Sequence, residues 1–298
     1  MRNLIRNFIF QSQINYVSSR FLKPFSILIP SKLKVPIHGF FKVRIDRNTF
    51  FYLEGFYTSA LSRMVFWGGI KGFEYGSVRV FMEMIRNASI FLDIGANIGY
   101  YSILAAKCNP HIKILAFEPF PDAITAFERN INKNQIQDID IVGYALSNKE
   151  GKTDFYYRVD NNFKQQKLEL AGDNSLVNFK NDEREKITVE SITLDKYLSK
   201  HPVETVDIIK IDTETTEYLI LQGAIDTIKK FRPVIFCEVL KGFHESEIES
   251  YFNELDYLFY LVEPNSLKPC TSISQIDEEK NDFIFVPKEK SDLIKAFL

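Results

Sequence analysis

One stretch constrains this chain more than any other: Ile90-Phe91-Leu92-Asp93-Ile94-Gly95-Ala96-Asn97-Ile98-Gly99-Tyr100-Tyr101-Ser102. Ile90 to Ile94 is an apolar run interrupted by a single acid, which reads as a buried strand. Two glycines then mark a turn, and apolar residues return at helical spacing at Tyr101, Leu104 and Ala105. Strand, glycine turn and helix make the first unit of a nucleotide-binding α/β fold. Glycine suits such a turn because it takes positive φ without a steric cost and lets a ligand approach the backbone. The helix start offers free N–H groups to polar ligand atoms.

The spacing narrows the ligand. A dinucleotide fingerprint is G-x-G-x-x-G. Here the glycines are Gly95 and Gly99, and Asn97 stands where the middle glycine would make room for a pyrophosphate. D-x-G-x-x-x-G suits a ligand without phosphate. S-adenosylmethionine fits, its ammonium and sulfonium charges complemented by an acid such as Asp93. The plain alternative is a structural glycine turn in some other α/β protein, since glycine motifs recur without function.

The rest of the chain reads as alternating strands and helices. Residues 112–117 form a second strand that ends in Glu118-Pro119. An acid there is where this fold class hydrogen-bonds ribose hydroxyls, and Glu118 lies 19 positions after Gly99. A helix over 121–134 and a strand over 139–146 follow. Residues 153–159 and 187–189 read as short strands, and 193–198 starts a helix. Residues 206–211 form a near-continuous apolar strand ending in Asp212-Thr213-Glu214, and 218–231 reads as one helix. Residues 233–239 are the next strand, carrying Cys237 and Glu238, and 246–255 is helical. The last strands, 257–263 and 282–286, have no clear helix between them. A closing antiparallel pair on a parallel sheet fits a seven-stranded methyltransferase sheet better than a dinucleotide fold. Upstream, alternation over 40–53 predicts a hairpin. Trp67-Gly68-Gly69 and Gly72-Phe73-Glu74-Tyr75 read as a turn. A helix over 77–86 puts Val78, Phe81, Met82 and Ile85 on one face.

Together these residues resemble the FkbM family of S-adenosylmethionine-dependent O-methyltransferases, over roughly 72–286. The strongest parts are the 91–102 stretch and Phe117-Glu118-Pro119. Gly172-Asp173-Asn174-Ser175-Leu176, Ile209-Lys210-Ile211-Asp212-Thr213-Glu214-Thr215-Thr216-Glu217 and Pro233-Val234-Ile235-Phe236-Cys237-Glu238 complete the series. The resemblance implies a Rossmann-like class I α/β fold with a seven-stranded, mostly parallel sheet and helices on both faces. Residues 1–75 are then a basic, aromatic extension or cap, and 76–298 the methyltransferase domain. It also implies transfer of a methyl group to a hydroxyl of a small-molecule or glycan acceptor. Asp93, Gly95, Ala96, Asn97, Gly99 and Glu118 are the expected cofactor-binding residues. Asp212, Glu214 and Glu238 are the expected catalytic ones, and Asn174 and Ser175 border the acceptor. Glu217 starts the next helix and could face the same crevice, while Tyr100 and Tyr101 also suit a core. Where Thr215 stands the family often has glycine. A β-branched residue resists positive φ. A helical backbone there would change little, and a left-handed one would reshape the pocket beside Asp212.

Composition bounds the partners. The net charge of −2 hides an asymmetry: no acid precedes Asp46, yet Arg2, Arg6, Arg20, Lys23, Lys32, Lys34, Lys42 and Arg44 all do. Such an arm suits transient contact of residues 1–45 with an anionic membrane surface, or is simply a solvated, partly packed extension. Nothing resembles a nucleic-acid-binding module. No apolar run approaches the length of a bilayer span, and polar residues break up the first 17 positions, so no signal-peptide core is expected. Cys108, Cys237 and Cys270 are widely spaced, which points to reduced thiols and a cytoplasmic setting. The four histidines are scattered without zinc spacing, and no metal is expected. Two other functions stay open: a nucleotide-cofactor oxidoreductase, against which Asn97 argues, and a non-catalytic S-adenosylmethionine-binding protein.

Overall fold

The computed structural model describes residues 12–26, 28–30, 34–35, 37–158, 175–176, 184–274 and 280–298. In chain order the elements are α1 (Ser12–Leu22), β1 (Gly39–Arg44), β2 (Phe50–Gly55), α2 (Ala60–Gly68), α3 (Tyr75–Ile85), β3 (Ile90–Ile94) and α4 (Tyr100–Cys108). Next come β4 (Lys113–Phe117), α5 (Pro121–Asn134), β5 (Ile139–Val142), β6 (Ala145–Leu146), β7 (Gly151–Arg158), β8 (Arg184–Ile192), α6 (Leu194–Lys200) and β9 (Ile208–Ile211). The chain closes with α7 (Glu217–Gln222), α8 (Ile225–Phe231), β10 (Val234–Leu240), α9 (Glu245–Glu254), β11 (Tyr257–Val262), β12 (Leu267–Cys270), β13 (Lys280–Pro287) and a 3-10 helix (Lys288–Phe297).

Strands inside a parallel sheet are covered on both faces and so tolerate apolar residues at every position. Every residue of β3 and β9 is buried, and these two strands lie side by side at the middle of the main sheet. Alternation along β3 sends Phe91 to one face, where it packs with Phe81, Leu104 and Phe236. Leu92 and Ile94 go to the other, with Ile209, Ile220 and Phe252. Helices α3, α4 and α5 cover the first face, and α6 to α9 cover the second. Among the described residues the main sheet has eight strands in the order β12-β11-β13-β10-β9-β3-β4-β5. β5, β4, β3, β9 and β10 run parallel, and β13 is antiparallel to both of its neighbours. The chain therefore winds outward from β3 in both directions. The gap above the carboxyl ends of β3 and β9 is the topological switch point, where open α/β sheets place their ligands.

Two smaller units flank that edge. The β1–β2 hairpin lies on α5, and two asparagines satisfy its edge. Tyr52 N donates to Asn134 Oδ1 at 2.7 Å and Glu54 N to Asn130 Oδ1 at 2.8 Å, while Asn134 Nδ2 donates back to Tyr52 O. Side-chain amides thus replace the missing neighbour strand. Phe41, Val43, Phe51 and Leu53 of the hairpin join the same core as α3 and α4. A three-stranded sheet, β6-β8-β7, sits at the other flank, where Phe155 and Tyr157 of β7 pack on Phe120 with ring centroids 5.6 and 5.0 Å apart.

Several elements depart from the expectations. The seven strands expected are present, and β12 extends the sheet by one at its edge. The expected single strand over 139–146 is two, β5 and β6, which enter different sheets across Gly143-Tyr144. The helix expected over 218–231 is broken into α7 and α8 at Gly223, where a Cβ would lie 2.1 Å from the Ser147 carbonyl oxygen. Trp67-Gly68 is not turn but the end of α2, whose N-cap Ser59 accepts a hydrogen bond from Ser62 N.

Candidate active site

The glycine turn is forced by what lies against it. Gly95 has φ 81°, and a Cβ there would sit 1.9 Å from the carbonyl oxygen of Asp212. The turn after β3 and the end of β9 are therefore in backbone contact, and only glycine fits. Gly99 has φ 83° and lies against the Phe127 ring, so its role is to seat α4 on α5. Between them Asn97 takes φ 51°, a left-handed conformation that asparagine accepts more readily than most residues. The turn is also tied to β4: Glu118 Oε2 accepts from Asn97 N at 2.8 Å and Oε1 from Phe120 N at 2.9 Å. Burial pushes the Glu118 carboxyl up to about 7 against the pull of those two N–H groups. Asp93 is buried beneath the turn, accepts from Ser102 Oγ at 2.6 Å, and is raised to about 6, again by burial.

Two cavities meet over this turn and share Gly95, Asn97, Asp212 and Glu214. The smaller, about 60 Å³, lies between Glu118, Phe120, Ala145 and Leu146. The larger, about 680 Å³, opens over Asp93, Ala96, Lys210 and Glu238, and is closed on its far side by Tyr57 and Met64. Eight of the nine expected site residues line one cavity or both, and Gly99 lines neither. Carboxylate oxygens of Asp212, Glu214 and Glu238 lie within 4.8 Å of one another, a separation that one divalent cation could bridge. A cation is already present beside them: Lys210 Nζ is 2.6 Å from Asp212 Oδ2. Burial opposes the Lys210 charge, but its carboxylate neighbours, Asp212 above all and then Glu74, outweigh it and hold the ammonium above its ordinary range. Burial in turn pushes the Glu74 carboxyl well above the usual carboxylate range, which leaves Asp212 the firmer partner.

The Methyltransferase FkbM domain matches residues 93–262, from the acid beneath the glycine turn to the end of β11. The chain belongs to the FkbM methyltransferase family. Two curated proteins are similar to part of the chain. Methyltransferase 1 of Beauveria bassiana (strain ARSEF 2860) is 24% identical over 147 residues, 46% of this chain and 59% of that protein. 2-O-methyltransferase NoeI of Sinorhizobium fredii (strain NBRC 101917 / NGR234) is 25% identical over 153 residues, 48% of this chain and 60% of that one. The chain thus spans about 60% of the length of these two relatives. Among solved structures, the methyltransferase FkbM from Methylobacillus flagellatus KT aligns over 71% of this chain and 55% of its own, at 13% identity and a TM-score of 0.43. M. jannaschii TYW2 in complex with AdoMet aligns over 83% and 84%, at 12% identity and a TM-score of 0.38.

The segment after β9 takes the left-handed form of the two alternatives open at Thr215. Extended backbone does not continue past Asp212: Glu214 has φ 52° and Thr215 φ 92°. Glu217 does not face the crevice. It is buried, and its Oε1 accepts from Thr213 N, Thr213 Oγ1 and Thr215 N, which clamps the bend. Burial raises Glu217 to about 7. Ser175 Oγ donates to the Glu214 carbonyl on the other side, while Asn174, expected beside it, lies outside the described residues. His244 stacks on Tyr218 and pairs with Glu247 at 3.1 Å on an exposed helix start, and lines neither cavity. Four contributors went unread in the sequence: Lys210 as a partner of Asp212, Glu74, and the wall residues Tyr57 and Met64.

Thr215 combines a left-handed β-branched backbone with a buried Oγ1 that has no hydrogen-bond partner among the described residues. Both cost free energy. Thr215→Gly is expected to stabilise the protein by about 1–2 kcal/mol, after the entropy that glycine adds to the unfolded chain. A urea unfolding midpoint measures it, and an unchanged or lower midpoint would refute the strain.

Proposed function

We propose that this FkbM chain is an S-adenosylmethionine-dependent O-methyltransferase acting on a hydroxyl of a small-molecule or glycan acceptor. The observation that carries the reading is the pair of cavities meeting at Gly95 and Asn97, with Asp212 in the wall of both. The Glu118 side lies where this fold class places a ribose, and the larger cavity has room for an acceptor. The donor set fits the cofactor: the backbone of the Gly95–Asn97 turn, Glu118 for ribose hydroxyls, and Asp93 with Asn97 for the charged methionine end. When bound, S-adenosylmethionine supplies a methyl group on a positively charged sulfur. The chain's own task is to align the acceptor oxygen in line with that methyl and keep water out. As the C–O bond forms and the C–S bond breaks, the hydroxyl proton must leave, and Asp212 or Glu214 takes it or orients its donor. Residues 1–75 serve as the cap and 76–298 as the methyltransferase unit.

A sugar hydroxyl is the favoured acceptor, because both carboxylates and aromatic rings line the larger cavity, and the relative NoeI is named for 2-O-methylation. The oxidoreductase reading loses support from Asn97. Membrane contact through residues 1–45 rests on an exposed apolar row, Val17, Phe21, Phe25 and Leu28. Two of its described cations turn inward, while Arg44 is exposed: Arg20 donates to Phe40 O at 2.7 Å, and Lys23 Nζ lies 4.6 Å over the Phe66 ring. Residues 1–11, 27, 31–33 and 36 of this arm lie outside the described residues. Phe21→Ser with Phe25→Ser is therefore expected to abolish liposome co-sedimentation, with salt having the smaller effect. Equal recovery of variant and parent would remove the membrane from the reading.

Calorimetry with S-adenosylmethionine across pH tests the cofactor assignment. The Asp93 and Glu118 carboxyls stand near 6 and 7, above unfolded values of about 4. The folded state therefore holds these protons more tightly than the unfolded one. Their contribution to stability is full below about pH 4 and is lost as pH rises through 6 to 7. A cationic ligand favours the ionised carboxylates, so binding releases protons and tightens with pH. We expect affinity to rise by about tenfold or more between pH 5.5 and 7.5, while the melting temperature of the free protein gains less, or falls. Tight NAD binding with no response to S-adenosylmethionine would overturn the assignment.

A further inference from the structure

We infer that Lys210 and Glu74 are positioning residues for Asp212, and that the segment before the FkbM domain thereby completes the acceptor site. The inference rests on the methyltransferase reading above.

Lys210 lies on β9, at the middle of the sheet, with its side chain 8% exposed. An ammonium withdrawn from water is costly, and an apolar side chain of similar volume commonly serves stability as well or better. The sheet alone does not call for a lysine there. Lys210 and Asp212 are two positions apart, so an extended strand puts them on one side of the sheet. Their contact, Nζ to Oδ2 at 2.6 Å, follows from that spacing. The ammonium is held from two further directions. Glu74 Oε2 lies 3.9 Å from Nζ, and the Tyr101 ring centroid lies 4.5 Å from it. Tyr101 is fixed in turn by donating its hydroxyl to the same Glu74 oxygen at 2.8 Å.

Glu74 enters from the other side of the site. It is the residue before α3, it takes a left-handed φ of 41°, and it precedes the matched segment 93–262. It lines the larger cavity together with Lys210 and Asp212. The arrangement is a brace. The ammonium takes Asp212 Oδ2, which leaves Oδ1 for an acceptor hydroxyl, and Glu74 with Tyr101 prevents the lysine from following Asp212 into the cavity. Small displacements matter here, because about 1 Å of misplacement costs on the order of a hundredfold in rate.

The test pairs crystal structures with kinetics on Lys210→Met, Glu74→Gln and the double variant, each with S-adenosylhomocysteine. In Lys210→Met the Asp212 carboxylate should move by about 1 Å or more, with the Gly95 turn unmoved. Glu74→Gln should displace Lys210 and keep the Tyr101 contact. With whichever saccharide of a mono- and disaccharide panel is methylated, turnover should fall by about tenfold or more in Lys210→Met. Cofactor affinity and acceptor KM should change far less, and the double variant should lose little beyond the worse single one. Asp212 unmoved in Lys210→Met, or additive losses in the double variant, would overturn the brace. If Lys210→Met does not fold, Glu74→Gln decides by the position of Lys210 alone. Absence of product from the parent enzyme would count against the acceptor reading, and the crystal structures would still decide the brace.

Discussion

Gly95→Ala is expected to abolish S-adenosylmethionine binding and to lower stability by about 3 kcal/mol. Two costs add. An alanine at φ 81° is in the left-handed region, at about 1–2 kcal/mol. Its Cβ then falls 1.9 Å from the Asp212 carbonyl oxygen, a backbone atom of a residue whose N–H donates to Ile94 O. That neighbour gives way only if β9 moves, and overpacking of this kind costs about 1–3 kcal/mol. Any such shift opens the junction between the two cavities, so binding and folding fail together. Gly151→Ala is the control. Its φ is 136° and, among the described residues beyond its chain neighbours, no heavy atom lies within 4 Å of the added Cβ, so strain acts alone. Denaturant midpoints and a binding titration on both variants check the prediction. Ordinary cofactor affinity in Gly95→Ala would show that the turn is not the cofactor cradle.

This glycine was legible in the sequence because a local pattern carries it. The acid, the two glycines and the return of helical spacing all lie within the thirteen positions 93–105, and periodicity identifies strand and helix on either side. Glu118 was legible for the same reason, through the strand end and Pro119. The segment before β3 was harder. Trp67-Gly68-Gly69 looks like a turn, and the Ser59 cap that starts α2 was the available counter-signal. The break at Gly223 is tertiary: Ser147, far off in sequence, occupies the space that a side chain would need. Glu74 is a stronger case. Nothing local distinguishes it from an ordinary surface acid, and only the fold brings it to Lys210. The same limit applied to the bend at Glu214 and Thr215. Both side chains suit extended backbone, yet Glu217 and Ser175 hold the chain left-handed from either side.

Asp212→Asn and Glu214→Gln should separate catalysis from binding, with at least one lowering turnover by about tenfold or more. Both acids line both cavities, so each is within reach of the place where methyl and acceptor oxygen meet. The amides keep the size of the acids and much of their hydrogen bonding, and remove the charge. Asp212 is expected to show the larger effect, because its Oδ2 is fixed by Lys210 while Glu214 sits on a bend with φ 52°. In Asp212→Asn the amide would have to turn its oxygen toward the ammonium and its NH₂ toward the acceptor, which removes the proton acceptor without emptying the site. Cofactor affinity should change much less, since Glu118 and the Gly95 cradle are untouched. Single-turnover rates beside a binding titration on the same variants decide the matter. If both variants turn over at the parental rate, transfer depends on alignment alone. If both lose cofactor and turnover together, these acids hold the cofactor, and the proton acceptor must be sought at Glu238, which lines the acceptor cavity alone.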